Sequence, residues 1–324
     1  MPDRQGSEGP LVKVVTVTLN PALDLTVRSD HLQIGQVNQG QDMQLNPAGK
    51  GVNVASILAD WGLRVTVTGL LGEENSETFE RLFAKKGIAD HFIRIPGSTR
   101  LGLKIVDEAR QETTDINLKG IQVAPPQVES LRKKVLTLAE THDLFVLAGS
   151  LPPGAPEDLY FTLIRDLKAL GKKVVLDTSG RPLELGLKAR PTAVKPNLHE
   201  LSQLTQKTLS TPEDALDAVK SLQGLEWLVV SMGEQGALFF HEGEAVHAIP
   251  PRVVVKSTVG AGDAMVAGLV AALHEGLEVQ EAARLATAFS AGSIQQIGAN
   301  LPEANVLQEL QSHVQVVTLA SGRV

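Results

Sequence analysis

The 324-residue chain contains no cysteine. That absence excludes disulfides, thiolate metal sites and a cysteine nucleophile. Histidine is sparse, with eight residues scattered along the chain. None falls in an H-E-x-x-H pattern or another paired spacing, so the imidazoles read as surface or satisfied core groups. No apolar run reaches about 18 residues, so no membrane span and no membrane partner are expected. The opening "MPDRQGSEGP" lacks an apolar signal segment, and a cytoplasmic location is expected. An excess of positive charge is lacking as well. The formal net charge of −7 weighs against a general nucleic-acid binder, and no nucleic-acid partner is expected. A local basic pocket for a small anion remains allowed. The P-loop spacing G-x-x-x-x-G-K-[ST] is absent. "GAGDAM" lacks the third glycine of a dinucleotide fingerprint and lies near the end of the chain, which sets aside a NAD-dependent dehydrogenase.

What is present is an ordinary globular composition, 43% hydrophobic and 21% charged, with material for a large core. "LVKVVTVTL" reads as a buried first strand, "GKGVNVASILADWG" as a helix and "LRVTVTGLLG" as a strand. "NSETFERLFAKKG" reads as an amphipathic helix capped by Asn75 or Ser76 and stopped by Gly87. Further helices are expected over "PPQVESLRKKVLTLAE" and Glu157–Leu170, and further strands over "DLFVLAG", "KKVVLDTS", "TAVKPN" and "EWLVVSMG". Two short helices follow "TAVKPN". A hairpin "ALFFHEGEAVHAI", a strand at Val253-Val254-Val255 and two closing helices complete the pattern. Strands alternating with helices predict an α/β fold, three layers around a mostly parallel sheet. "QVNQGQDMQL" and the alternation from His91 to Gly120 fit that layering poorly. They read as one small β-sheet lid built from two insertions, about 24–46 and 90–120. The expected organisation is a polar tail over 1–10 and one domain over 11–324.

Five stretches carry candidate chemistry. In "NPAGKGVNVAS", Gly49 and Gly51 flank Lys50 at a helix start, and Asn53 lies in the first turn. In "STVGAGDAMVAGLVAAL", Gly260-Ala261-Gly262-Asp263 precedes a wholly apolar helix. The turn reads either as plain backbone freedom or as an anion site built from helix N–H groups. In "VVSMGEQGA", Ser231, Gly233 and Gly236 follow a strand, as a hairpin start or a phosphate approach. In "VKPNLHEL", Asn197 and Glu200 copy a capping box, or hold Mg²⁺ through waters. In "STRLGLKIV", Arg100, Gly102 and Lys104 share one face of a strand. That face is either solvated or leaves room beside Gly102 for a bulky anion.

Together these stretches resemble the phosphofructokinase B group of ribokinase-like carbohydrate kinases, over about Val12 to Gln296. "PAGKGVNVASILADWG" and "STVGAGDAMVAG" look like its two signatures, "KPNLHE" like its N-x-x-E element and "SMGEQG" like its S-x-G-x-x-G loop. "TLNPALD", "AGKGVNVA", "TDINLKG" and "AGSLPPG" look most like its 1-phosphofructokinase branch. Many ribokinase-like members carry Asp at the position of Ser257, where it helps a monovalent-cation site. The 1-phosphofructokinase branch shows the same kind of replacement.

The resemblance implies a fold, an activity and a set of roles. The fold is ribokinase-like, and the activity is ATP-dependent phosphorylation of fructose 1-phosphate at its 6-hydroxyl. Asp263 would be the base, with the backbone of Gly260, Ala261 and Gly262 stabilising the transferring phosphoryl group. Asp24, Gly49 and Asn53 would hold sugar hydroxyls, while Lys50, Arg100 and Lys104 face the sugar's phosphate. Ser150 would also lie on the substrate side. Ser231, Gly233 and Gly236 would line the nucleotide, and Lys195, Asn197 and Glu200 would serve the triphosphate and Mg²⁺. Thr258, Gly260 and Gly262 would lie against ATP as well. The rivals are a tagatose 6-phosphate or fructose 6-phosphate kinase of the same group, and a catalytically silent sugar- or nucleotide-binding regulator. The exposed lid strands suggest a homodimer.

Overall fold

The first buried strand consists of β-branched residues alone, Val14-Val15-Thr16-Val17-Thr18. Such residues pack well on a pleated surface and resist helix. The structure is a computed structural model that describes residues 13–110, 112–220, 222 and 224–319. The expected tail, residues 1–10, and the first two residues of the expected first strand, Leu11 and Val12, lie outside the described residues.

Along the chain run β1 (Val14–Thr18), β2 (Ala22–Ser29), β3 (Asp42–Ala48), α1 (Lys50–Asp60), β4 (Val65–Gly72), α2 (Glu77–Lys86), β5 (Ala89–Asp90), β6 (Ile93–Ile95), β7 (Leu101–Asp107) and β8 (Glu112–Asn117). Then come α3 (Pro125–Ala139), β9 (Leu144–Ala148), α4 (Leu159–Ala169), β10 (Lys173–Asp177), α5 (Gly180–Lys188), β11 (Ala193–Val194), α6 (Leu198–Thr205), α7 (Pro212–Val219) and β12 (Trp227–Ser231). The chain closes with β13 (Ala237–His241), β14 (Glu244–Ile249), α8 (Ala261–Glu275), α9 (Val279–Ser293), α10 (Ala304–His313) and β15 (Gln315–Thr318).

The main sheet has the order β15-β14-β13-β12-β11-β10-β9-β1-β4-β5, with β6 also on β4. It is parallel from β12 to β5 and antiparallel from β12 to β15. Side chains alternate between two apolar clusters. Val14, Leu144 and Val146 pack with α1, α2, α8, α9 and α10 on one face. Val15, Phe145 and Leu147 pack with α3 to α7 on the other. This is the expected three-layer architecture. Because the central strands are parallel, their carboxyl ends share one edge, where Asn20, Ser150, Asp177, Lys195 and Ser231 lie. The order reverses at β1, which pairs with both β4 and β9. Ligands of open α/β sheets bind at such a switch point.

The smaller sheet has the order β3-β2-β7-β8. Its residues alternate over the middle of the sheet. Leu45, Leu25, Leu103 and Ile116 form one cross-strand row, and Asn46, Asp24, Gly102 and Asn117 the next. One face is therefore apolar and the other polar. The two short strands β5 and β6 belong to the main sheet, although they fall near or within the second expected insertion.

Several expectations are corrected. Val253-Val254-Val255 is not a strand, and Val254 is 79% exposed. Pro250 and Pro251 interrupt the ladder after β14, and β15 already occupies the free edge of β14. The segment hangs instead on Ile294, whose carbonyl accepts from the N–H groups of Lys256 and Ser257. "GRPLELGLK" forms α5 despite two glycines, with Pro182 tolerated in the first turn. Two helices, α9 and α10, follow α8 as expected, and a strand that was not expected, β15, comes after them. Neither Asn75 nor Ser76 caps α2 through its side chain. Asn75 instead clamps the backbone of Thr99 at 2.8 and 2.9 Å. Gly87 does end α2 in the left-handed region. No helix among the described residues is long and apolar enough to cross a membrane.

Candidate active site

The N-terminus of α8 is the centre of the site. Gly260 adopts φ 85° and leads into the helix, a conformation that disfavours any side chain. The first-turn N–H groups that follow have no helical acceptor, and the helix end carries partial positive charge. Asp263 lies in this first turn with its carboxylate buried. Asn53 of α1 donates from Nδ2 to Asp263 Oδ2 at 2.7 Å. Burial, and next the negative charge of Asp177, push the Asp263 carboxyl up to about 6. Lys50, the Asn53 hydrogen bond and Lys195 pull in the opposite direction.

Asp177 ends β10 and is fully buried. Its Oδ1 lies 3.0 Å from Lys50 Nζ and 3.6 Å from Lys195 Nζ. Burial draws the Lys50 ammonium down, yet Asp177, Asp263 and Glu200 hold its pKa above the usual lysine value. Lys50 is thus not grouped with Arg100 and Lys104, beside which the resemblance set it at the sugar's phosphate, and faces the α8 end. Lys195 lies there too, since a side chain at Gly262 would begin 3.5 Å from its Nζ. Nearby, Asn20 Nδ2 donates to Ser150 Oγ at 3.1 Å.

Asn197 and Glu200 form the capping box that their spacing predicts. The Asn197 N–H donates to Glu200 Oε2 and the Glu200 N–H to Asn197 Oδ1, both at 2.8 Å. Asn197 also bridges to Ser231. A groove of about 270 Å³ beside them is lined by Asn197, His199, Ser231 and Gly233. Gly236 is not part of this lining. It packs against Ala248, and its carbonyl accepts from the Met232 N–H at 2.8 Å.

The polar face of the smaller sheet closes over a cleft of about 840 Å³, lined among others by Asp24, Asn53, Lys104, Thr258 and Ala299. Lys104 Nζ is 3.5 Å from Asp24 Oδ2 and 3.1 Å from Asp115 Oδ1. Burial raises the Asp24 carboxyl above its usual range, against the pull of Lys104 and Arg100. The space beside Gly102 is not open for an anion. A Cβ there would meet Asp24 Oδ1 at 2.5 Å, so the carboxylate of the adjacent strand fills it. Arg100 precedes β7 rather than lying in it. Among the described residues its guanidinium makes only long bonds, 3.4 Å each, to the carbonyls of Asn20 and Leu118. Its Nε is buried with no partner among them, and burial holds its pKa below the usual arginine value.

The structure thus joins Lys50, Asn53, Lys195 and Asp263 at the α8 end, with Gly49 forming the N-cap of α1. It gathers Asp24 and Lys104 on the smaller sheet, within electrostatic reach of Arg100. Asn197, Ser231 and Gly233 form a third group, to which the capping box ties Glu200. Sequence reasoning missed Asp177, Asn20 and the loop Ile297–Ala299. Asp177 was within reach of the rule that ligands gather beyond strand carboxyl ends. Among the described residues no cluster of three His, Asp or Glu forms a protein-only metal cage.

A family model described as pfkB family carbohydrate kinase matches residues 15–305. The chain is 44% identical over 309 residues to a 1-phosphofructokinase of Vibrio cholerae, covering 95% of this chain and 97% of that protein. It is 45% identical over 286 residues to a 1-phosphofructokinase of Xanthomonas campestris, covering 86% and 90%. A solved phosphofructokinase-2 from Escherichia coli, in complex with substrates and products, superposes with a TM-score of 0.86. It is 28% identical, over 93% of this chain and 99% of that one.

Proposed function

Because this chain belongs to the pfkB family of carbohydrate kinases, we propose that it phosphorylates fructose 1-phosphate at the 6-hydroxyl, giving fructose 1,6-bisphosphate and ADP from ATP. The observation that carries the reading is Asp263, a single carboxylate held by Asn53 at a helix N-terminus that faces two lysines. The full-length similarity to 1-phosphofructokinases supports this acceptor. Phosphoryl transfer asks little covalent chemistry of a protein; it needs positioning and charge stabilisation. In this reading Asp263 takes the proton from the 6-hydroxyl oxygen as that oxygen attacks the γ-phosphorus. The N–H groups of the α8 first turn, Lys50 and Lys195 meet the charge on the transferring oxygens. Asp24 and Asn53 orient the sugar hydroxyls, and Arg100 and Lys104 hold the 1-phosphate. Ser231, Gly233 and Asn197 border the nucleotide. The smaller sheet acts as a lid that excludes water and suppresses ATP hydrolysis. An ATP-dependent reaction accords with the expected cytoplasmic location.

Mg²⁺ fits the donors present. Glu200 commits only Oε2 to the Asn197 N–H, leaving its other oxygen for a water of a hydrated ion, and Mg²⁺ keeps its waters readily. Glu200 and Asn197 would hold the ion, which would neutralise charge across the β- and γ-phosphates. Glu200→Gln keeps an acceptor for the Asn197 N–H. It is expected to raise the Mg²⁺ concentration for half-maximal rate several-fold while costing about 1 kcal/mol of stability or less. A Mg²⁺ titration beside a melting curve checks this; unchanged Mg²⁺ dependence leaves Glu200 a helix cap alone.

The apolar face of the lid suits a second copy of this chain. Met43, Leu45 and Ile116 are exposed there, beside a β8 edge on which no further strand lies among the described residues. A dimeric mass at micromolar concentration is expected by sedimentation, and a monomer would contradict it. The acceptor itself is tested by ADP release across a panel of phosphosugars.

A further inference from the structure

The geometry points to Asp177 as a positioning residue for the transfer step: one wholly buried carboxylate that ties Lys50 and Lys195 together beside Asp263. This rests on the kinase reading above. The backbone around Asp177 is fixed on two sides. Its carbonyl accepts from the Gly149 N–H at 2.9 Å. The Gly149 carbonyl in turn takes the hydroxyls of Tyr160 and Thr178, both at 2.9 Å. The carboxylate therefore has little freedom to follow a moving lysine; the lysines come to it.

Stability does not explain the arrangement. Asp177 Oδ2 is buried with no hydrogen-bond partner among the described residues, and an unsatisfied buried acceptor costs free energy. Buried ion pairs are often no better than apolar side chains of the same volume. The placement makes sense for the reaction. Lys50 begins α1 on the sugar side, and Lys195 follows β11 on the side of Asn197 and Ser231. Asp177 bonds one and lies beside the other, so both ammonium groups stand at the α8 end before any phosphate arrives. Preset charges of this kind need no reorganisation during the step.

The charged groups that act on Asp263 are Asp177 from β10, Lys50 from α1 and Lys195 after β11. They give two negative and two positive charges including Asp263 itself. Glu200 of α6 acts on the cluster through Lys50. Asp177 raises the Asp263 carboxyl and the lysines lower it. Removing the charge of Asp177 therefore leaves Asp263 a weaker base, facing two cations freed of their anchor.

The experiment is the pH dependence of kcat at saturating ATP, Mg²⁺ and fructose 1-phosphate, where titration of the free sugar phosphate drops out. For Asp177→Asn the acidic limb is expected to move down by about one pH unit, with a plateau kcat lower by about tenfold or more. For Lys195→Met the limb is expected to move up. A purely structural Asp177 would change the melting temperature and leave the limb in place. If Asp177→Asn fails to fold, Lys195→Met decides by the direction of its shift. A limb that stays put in the folded variants, or a wild-type kcat without an acidic limb, overturns the inference. A changed Mg²⁺ requirement with an unmoved limb overturns it as well. A wild-type enzyme inactive on fructose 1-phosphate overturns the functional reading instead, and is seen before any variant is made.

Discussion

Asp263→Asn is expected to lower kcat by about 10²–10⁴-fold, the usual cost of removing a general base, while ATP binding stays near wild type. The substitution is nearly isosteric, and Asn53 Nδ2 can still donate to the new amide oxygen in place of Asp263 Oδ2. Folding should therefore survive. The pH logic makes the test sharper. The folded-state pKa of Asp263, raised by burial to about 6, lies above the value of about 3.9 for an unfolded aspartate. Ionised Asp263 therefore costs stability: nothing well below 3.9, more as pH rises toward 6, and a constant amount above. The Asn variant escapes that cost and is expected to melt no lower than wild type at pH 8. Wild-type kcat/KM is expected to fall as pH drops through about 6, because the base is then protonated. Nucleotide affinity by calorimetry and turnover by ADP release check the pair. A variant that keeps half its activity would remove Asp263 from the base role.

Arg100→Ala is expected to raise KM for fructose 1-phosphate by roughly ten- to a hundredfold and to leave KM for ATP almost unchanged. A hydrogen bond to a charged partner contributes about 1.5–3 kcal/mol, which converts to that range of affinity. The structure separates the two lid cations. Lys104 is already paired with Asp24 and Asp115, so a phosphate must compete for it. Among the described residues Arg100 has only its two long carbonyl bonds, and its Nε has no partner. Its guanidinium is the group with unmet bonding capacity, so Arg100→Ala should cost more than Lys104→Ala. Equal losses for ATP and sugar would instead mark Arg100 as a support of the lid.

Alternation and periodicity made the layers legible. Val14–Thr18 and Leu144–Ala148 announce themselves as buried strands because every residue is apolar or β-branched, and α8 as a buried helix because it is apolar from Ala264 to Leu273. Segments governed by tertiary context were less legible. Val253-Val254-Val255 has strand composition but no free edge to join, and edge supply is not a local property. Helix α5 carries breakers at Gly180, Pro182 and Gly186, and burial of Leu183 and Gly186 overrides them. At the site, Asp263 and Asn53 sit in runs whose spacing points at a helix start. Asp177 sits in "KVVLD", where one carboxylate after a strand looks ordinary. Its meaning comes from Lys50 and Lys195, 127 positions before it and beyond the following helix. Gly102 invited the opposite error: a small residue between two cations suggests empty space, but Asp24 of the adjacent strand fills it.

The central claim is the acceptor. ADP release measured with fructose 1-phosphate, fructose 6-phosphate, tagatose 6-phosphate and free fructose, at equal ATP and Mg²⁺, tests it most directly. The account predicts the highest kcat/KM for fructose 1-phosphate and very poor use of free fructose, which leaves the lid cations without a phosphate. A higher kcat/KM for fructose 6-phosphate would contradict the acceptor while sparing the kinase, and no ADP release above background with any of the four would contradict the kinase itself.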